Sequence, residues 1–83
     1  SQGARGIVVF NTGSGFNAFD LACPNQAFNT CGSPLTINGV AARCNCDTSE
    51  NPYSLFSGQS GGQQYSLKPY RVEMNGTNLI ITN

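Results

Sequence analysis

The chain has 83 residues, a formal net charge of zero, and charged side chains at only 10% of its positions. With so few charged residues, the chain has no stripe of basic side chains that could neutralise phosphates. We therefore expect no nucleic-acid partner. The length suits one small domain over residues 1–83. A core of this size contributes no more than about 3–5 kcal/mol to stability, so a covalent or metal crosslink is expected.

Four cysteines in a short chain that is poor in charge and rich in Asn, Ser, Thr and Gly indicate an exported protein. The chain opens at Ser1-Gln2-Gly3, with neither a methionine nor a signal peptide. We therefore expect it to be the C-terminal part of a longer precursor.

The first half of the chain begins with two predicted strands. The β-branched run GIVVF (residues 6–10) predicts a strand, and NTGSG (residues 11–15) predicts a turn. FNAFDL (residues 16–21) alternates apolar and polar side chains, which predicts a strand with one buried face.

Two β-hairpins are predicted further along. LTINGVAARC is expected to turn at Asn38-Gly39, and YRVEMNGTNLIIT at Asn75-Gly76. Asn-Gly accepts the positive φ angles of a type I′ turn, so we predict that turn type. In the second hairpin, Tyr70, Val72 and Met74 are expected to share one face, and residues 79–81 form the last strand.

A short strand near residues 53–56 and a Gly/Gln/Ser loop are expected between the hairpins. No window shows a helical period. About seven short strands predict an all-β antiparallel β-sandwich or small barrel. We expect core or sheet packing for all eight aromatic residues, which are Phe10, Phe16, Phe19, Phe28, Tyr53, Phe56, Tyr65 and Tyr70.

The spacing of the four cysteines disfavours two kinds of chemistry. Zinc sites usually present Cys-x2-Cys pairs, whereas Cys44-Asn45-Cys46 places adjacent thiols on opposite sides of an extended chain. A dithiol oxidoreductase needs Cys-x-x-Cys at the start of a helix. The chain has no histidine, so no imidazole is available for acid–base catalysis. We therefore expect no enzymatic activity and no catalytic residue, and the spacing alone leaves the cysteine pairing open.

The motifs CPN (residues 23–25) and CNCD (residues 44–47) resemble the two cluster-binding loops of the Rieske iron–sulfur domain. In that family one loop carries Cys-x-His, and the other reads Cys-x-Cys-His in members with a disulfide between the loops. The resemblance assigns Cys23 and Cys44 to the ligand cysteines and puts Asn25 and Asp47 where the histidines stand. It assigns the disulfide to Cys31 and Cys46.

The resemblance extends over nearly the whole chain, including the closing segment SLKPYRVEMNGTNLII. Within that family, the chain resembles the short exported Rieske-like proteins of the Bacteroidetes, which are often lipoproteins. The resemblance implies a Rieske-like fold with a two-loop cysteine-bearing subdomain. It also implies a bacterial protein of the periplasm or outer surface, with membrane tethering by a lipid anchor on a missing N-terminal segment.

The departures from the family pattern imply that the cluster has been lost. Both histidines are missing; the Asp47 carboxylate can bind iron, but the neutral amide of Asn25 is a poor ligand for Fe³⁺. The first loop is longer than usual, Thr48 replaces a glycine, and GQSGGQQ lacks the proline-rich cover of many members. We therefore expect no cofactor and no metal. The alternative is a [2Fe–2S] cluster held by Cys23, Cys44, Asp47 and Asn25.

A chain of this family that lacks the cluster is expected to be held by disulfides. The Cys31–Cys46 bond follows from the resemblance, and Cys23 and Cys44, facing each other without a cluster, should also pair in an oxidising compartment. The leading hypothesis is thus a disulfide-stapled, non-enzymatic binding or structural module with an unknown protein or small-molecule partner. The alternatives are electron transfer through the altered cluster and thiol–disulfide redox at Cys23/Cys44.

A few polar residues near these loops could form a small binding site. Asn25, Asp47, Ser49 and Tyr53 would line its end, and Ser49 also matches a serine that bonds a cluster sulfide in the family. We expect these residues to cap turns and bond the backbone. Asp20, just before the first loop, is expected to be a surface or turn residue.

Overall fold

The computed structural model describes residues 4–83, which form seven β-strands joined by turns and loops. The strands are β1 (Ile7–Asn11), β2 (Phe16–Asp20), β3 (Thr36–Asn38), β4 (Ala41–Arg43), β5 (Tyr53–Ser54), β6 (Pro69–Asn75) and β7 (Asn78–Thr82). The predicted all-β fold is confirmed. Residues 4–83 contain no helix that is long and apolar enough to span a membrane.

The strands form two antiparallel sheets. One is a curled four-stranded sheet with the order β1-β2-β6-β7, and the other is a three-stranded sheet with the order β3-β4-β5. β1 pairs with β2 along its whole length, but β2 meets β6 only at Ala18↔Tyr70 and Phe19↔Pro69. Phe19 joins Ala42 and Tyr53 of the small sheet in one buried cluster, so the two sheets share a core.

Both hairpin turns lie one residue later than predicted. Asn38 pairs with Ala41, so Gly39 and Val40 are the loop residues, and Gly39 has φ +63°. In the second hairpin Asn75 pairs with Asn78, and Gly76 opens the loop with φ +65°. Since only the first loop residue has a positive φ, the prediction of type I′ turns is wrong. Glycine at that position is the signature of a type II′ turn.

The aromatic residues divide between the core and the surface. Phe19 and Tyr53 are buried, and Phe56 packs edge-to-face on Phe10 with ring centroids 4.9 Å apart. Phe28 is partly exposed and lies under the Arg5 guanidinium, 4.0 Å from the ring centroid. Tyr65 is 57% exposed and Phe28 is 45% exposed, and both lie in loops. The expectation that all aromatic side chains pack in the core or on a sheet is therefore wrong for these two residues.

Asp20 is a buried residue whose side chain links β2 to β6. Its side chain is 7% exposed, its Oδ1 accepts a hydrogen bond from the Ala22 N–H, and its Oδ2 accepts one from the Tyr70 hydroxyl, each at 2.9 Å. Asp20 is the last residue of β2 and is buried, so the expectation of a surface or turn residue is wrong. A buried carboxylate needs such donors because burial without them is costly.

Candidate functional site

The cysteines lie where three loops meet, at the end of the three-stranded sheet. Loop one (residues 21–35) follows β2, loop two (residues 44–52) follows β4, and loop three (residues 55–68) follows β5. We call these three loops the tip. The strands that lead into these loops are short, so the position of each loop depends on its contacts with the other loops.

Two disulfides join loop one to loop two. Cys23 bonds Cys44 with Cα atoms 5.6 Å apart, and Cys31 bonds Cys46 with Cα atoms 5.8 Å apart. Both separations are normal for disulfides. The Cys31–Cys46 bond is the pairing that the family resemblance implies, and the Cys23–Cys44 bond is the one expected once a cluster is lost. Cys23, Cys31 and Cys44 are buried, whereas Cys46 is exposed.

The four sulfur atoms form one compact group. All of their Sγ atoms lie within 4.8 Å of one another. The expectation that Cys44 and Cys46 point to opposite sides of an extended chain is wrong. β4 ends at Arg43, and the chain bends at Asn45 and Cys46, which turns both sulfurs toward loop one.

Asn25 fastens loop one to loop three. Its Nδ2 donates to the Tyr65 carbonyl at 2.8 Å, and its Oδ1 accepts from the Tyr65 N–H at 2.9 Å. The amide thus pairs with the backbone as a neighbouring strand would. Asn25 Nδ2 also donates to the Tyr53 hydroxyl at 2.9 Å. The expected role in bonding the backbone is confirmed for Asn25.

A hydrogen-bonded network lies beneath the loops. The Tyr53 hydroxyl donates to Glu50 Oε1 at 2.6 Å, and Gln26 Nε2 donates to Glu50 Oε2 at 2.8 Å. Tyr53 is fully buried and Glu50 is nearly so. Burial, followed by the hydrogen bond to Glu50, raises the pKa of Tyr53 to about 12. This network holds Tyr53 as a neutral donor in the neutral pH range.

Asp47 and Ser49 bond to each other at the surface. Asp47 Oδ1 accepts from the Ser49 hydroxyl at 2.5 Å and from the Ser49 N–H at 3.0 Å. The hydroxyl contact, then the backbone contact, lowers the pKa of Asp47. The expected turn-capping role is confirmed for this pair. Of the four polar candidates, the structure therefore joins Asn25 to Tyr53 and Asp47 to Ser49.

Two members of the buried network were missed by sequence reasoning. The acidic residues show no spacing pattern that points to Glu50, although it precedes Tyr53 of β5 by only three residues. That short separation is the one signal that could have placed the two side chains together. Gln26 lies 24 positions before Glu50, and no local pattern predicts that contact.

Comparison with protein-family models, curated proteins and solved structures finds no match to the chain. These comparisons therefore do not identify a family, and the Rieske resemblance rests on the sequence motifs alone. The two disulfides in so small a domain are compatible with an extracellular or otherwise oxidising compartment.

Proposed function

We propose that the chain is a degenerate Rieske-like domain that works as a disulfide-stapled, non-enzymatic binding or structural module. The Cys23–Cys44 bond carries the proposal, because it joins the two cysteines that match the family's ligand positions. Loss of a cluster would leave two facing thiols, and an oxidising compartment would pair them.

The donor set at the tip does not fit a [2Fe–2S] cluster. Cys23 and Cys44 are bonded to each other, and thiolates are the protein ligands that such a cluster requires. The Asn25 amide oxygen is engaged with the Tyr65 N–H, and as a neutral amide it is a weak donor for ferric iron. Of the four positions that match the family's ligands, only Asp47 offers a carboxylate oxygen, and Ser49 already bonds it.

A crosslinked tip of this kind suits a recognition or spacer role. Two disulfides and the Asn25–Tyr65 pairing hold the three loops in one arrangement, so a partner would meet a preorganised surface. The partner is a protein or small molecule of unknown identity. The proposal includes export to the periplasm or outer surface of a bacterium, with tethering by an N-terminal lipid anchor.

The test combines intact mass with metal analysis on protein purified without oxygen. We expect a colourless protein, four hydrogens lighter than its fully reduced form because all four cysteines are paired. Iron and acid-labile sulfide should be absent. Two irons and two sulfides per chain, with visible absorbance, would overturn the proposal in favour of electron transfer.

The order of disulfide reduction separates a structural role from thiol redox at Cys23/Cys44. Attack by an external thiol depends on access to a sulfur, and only Cys46 is exposed. A structural role therefore predicts that Cys31–Cys46 opens first under limiting dithiol. Differential alkylation and peptide mass mapping measure this order. If Cys23–Cys44 opens first, the result supports thiol–disulfide redox at these two cysteines and contradicts a structural role.

A further inference from the structure

We propose that the tip, once both disulfides are reduced, binds one divalent ion of the zinc type through all four of its cysteines. This metal site differs from an iron–sulfur site because it uses Cys31 and Cys46 together with Cys23 and Cys44. It rests on the positions of the sulfur atoms and does not depend on Rieske ancestry.

The geometry of the sulfur group carries the proposal. A tetrahedral zinc site with Zn–S bonds of about 2.3 Å has sulfurs about 3.8 Å apart. The most distant sulfurs of the tip lie within 4.8 Å of each other. The bonded sulfurs must separate from about 2.0 Å to the same tetrahedral spacing. Each atom therefore moves by about 1 Å, a shift that side-chain rotation can supply.

The surroundings of the sulfurs also suit a structural metal site. Cys23, Cys31 and Cys44 are buried, so bound metal would be shielded from water on one side. Cys46 is exposed and gives the ion a route to the site. Such an ion would crosslink loops one and two at the same four points as the disulfides. The fold of the tip is thereby compatible with both states.

The chemistry balances with a thiol or phosphine reductant and one metal ion. Reduction of the two disulfides consumes four electrons and four protons and yields four thiols. Coordination of a divalent ion by four thiolates releases four protons, so affinity rises with pH. A sulfur in a disulfide is no longer a thiolate ligand, so oxidation of the cysteines prevents metal binding. Bound metal in turn protects the cysteines from oxidation.

The test is a metal titration of the full chain after reduction with a phosphine and its removal without oxygen. Co²⁺ is the first probe, since thiolate ligands in tetrahedral geometry give it intense visible absorption. We expect saturation at one Co²⁺ per chain, displacement by Zn²⁺, and return of the native amide spectrum in NMR. The oxidised protein should bind neither ion.

Single substitutions show which residues hold the ion. Cys31→Ser should lower the Co²⁺ absorption and weaken Zn²⁺ binding by more than the roughly 10–100-fold that loss of an outer-shell contact costs. Asp47→Asn is the matched control, since it removes the nearby carboxylate and should leave the Co²⁺ spectrum and affinity unchanged.

Three results would overturn the proposal. Equal Co²⁺ binding by the oxidised protein would show that the thiols are not the ligands. An unchanged spectrum in Cys31→Ser would remove that residue from the site. Saturation without the native amide spectrum would show that the metal is chelated by an unfolded chain. Failure of metal binding would leave the intact-mass and iron tests of the stapled module untouched.

Discussion

The tip and the terminal hairpin formed by β6 and β7 are stabilised in different ways. Among residues 4–83, eight of the ten buried apolar residues lie in the segment from Cys23 to Leu67, and none lies in the terminal hairpin. The tip combines a small core with two disulfides and a buried network. The hairpin instead depends on five backbone pairs between its own strands and two with β2.

This difference shows how a chain with few apolar residues divides its stability. The loops of the tip do not form ladders of backbone hydrogen bonds. Their arrangement therefore depends on crosslinks and buried hydrogen-bond donors. A two-stranded hairpin can rely on its ladder, but by itself it is only marginally stable. We therefore expect the hairpin to open locally at a lower free energy than the tip.

The largest expected effect is that of removing both disulfides. Each closes a loop of similar length, with sequence separations of 21 and 15, and contributes about 3 kcal/mol. Their sum is comparable to the whole stability of a small domain, about 5–15 kcal/mol. We expect the reduced, metal-free protein to lose its dispersed amide spectrum in both the tip and the hairpin.

A variant that keeps one staple is the control for that experiment. With Cys31 and Cys46 both replaced by Ala, the Cys23–Cys44 bond remains, and we expect a folded protein less stable by about 3 kcal/mol in urea. Native amide protection in the fully reduced wild type would contradict the view that the disulfides hold the tip.

A matched pair of leucines compares the two regions directly. Leu67 is fully buried in loop three of the tip, whereas Leu79 in β7 is only half-buried. Leu67→Ala should cost about 2–5 kcal/mol, and Leu79→Ala about half as much or less, because less apolar surface leaves contact. Urea unfolding of both variants measures the difference. Equal losses would mean that the hairpin carries as much packing energy as the core.

A matched pair of tyrosines compares the two buried carboxylates. Tyr53→Phe removes a donor to Glu50 and should cost about 1–3 kcal/mol, since a buried acceptor loses a partner. Tyr70→Phe removes a donor to Asp20, but Tyr70 is half-buried, so water can replace its hydroxyl. We expect a loss of about 0.5–1.5 kcal/mol there. A greater loss for Tyr70→Phe would show that the Tyr70–Asp20 hydrogen bond in the four-stranded sheet contributes more stability than the Tyr53–Glu50 hydrogen bond.

Strand patterns were predictable from sequence, but turn registers were not. Residues 16–21 and the apolar run 79–81 each correspond to an observed strand, β2 and β7. The prediction of a single buried face on β2 is wrong, because Ala18, Phe19 and Asp20 are buried in succession. Asn-Gly fits a two-residue turn at either of two registers. The sequence carries no signal that selects the register in which Gly39 and Gly76 are the first loop residues.

The site was predictable only as far as its motifs. The Cys31–Cys46 pair follows from the family resemblance, the Cys23–Cys44 pair follows from the expected loss of the cluster, and the turn-capping by Asp47 follows from local chemistry. The bend at Asn45 and the Gln26–Glu50 bond depend on how the loops meet. Those contacts join positions far apart in sequence, where neither periodicity nor spacing carries a signal.

The smallest expected effect is a loss of stability in alkali that comes from Tyr53. Its pKa is raised from 10.0 to about 12 in the folded protein, so the unfolded chain releases its proton at lower pH than the folded one. Stability is fully present below pH 10.0 and falls as pH rises toward about 12. Over the first pH unit of that window we expect a loss of about 1 kcal/mol in urea unfolding. Tyr53→Phe should remove this loss and Tyr70→Phe should retain it; the same alkaline slope in both variants would show that the loss does not come from Tyr53.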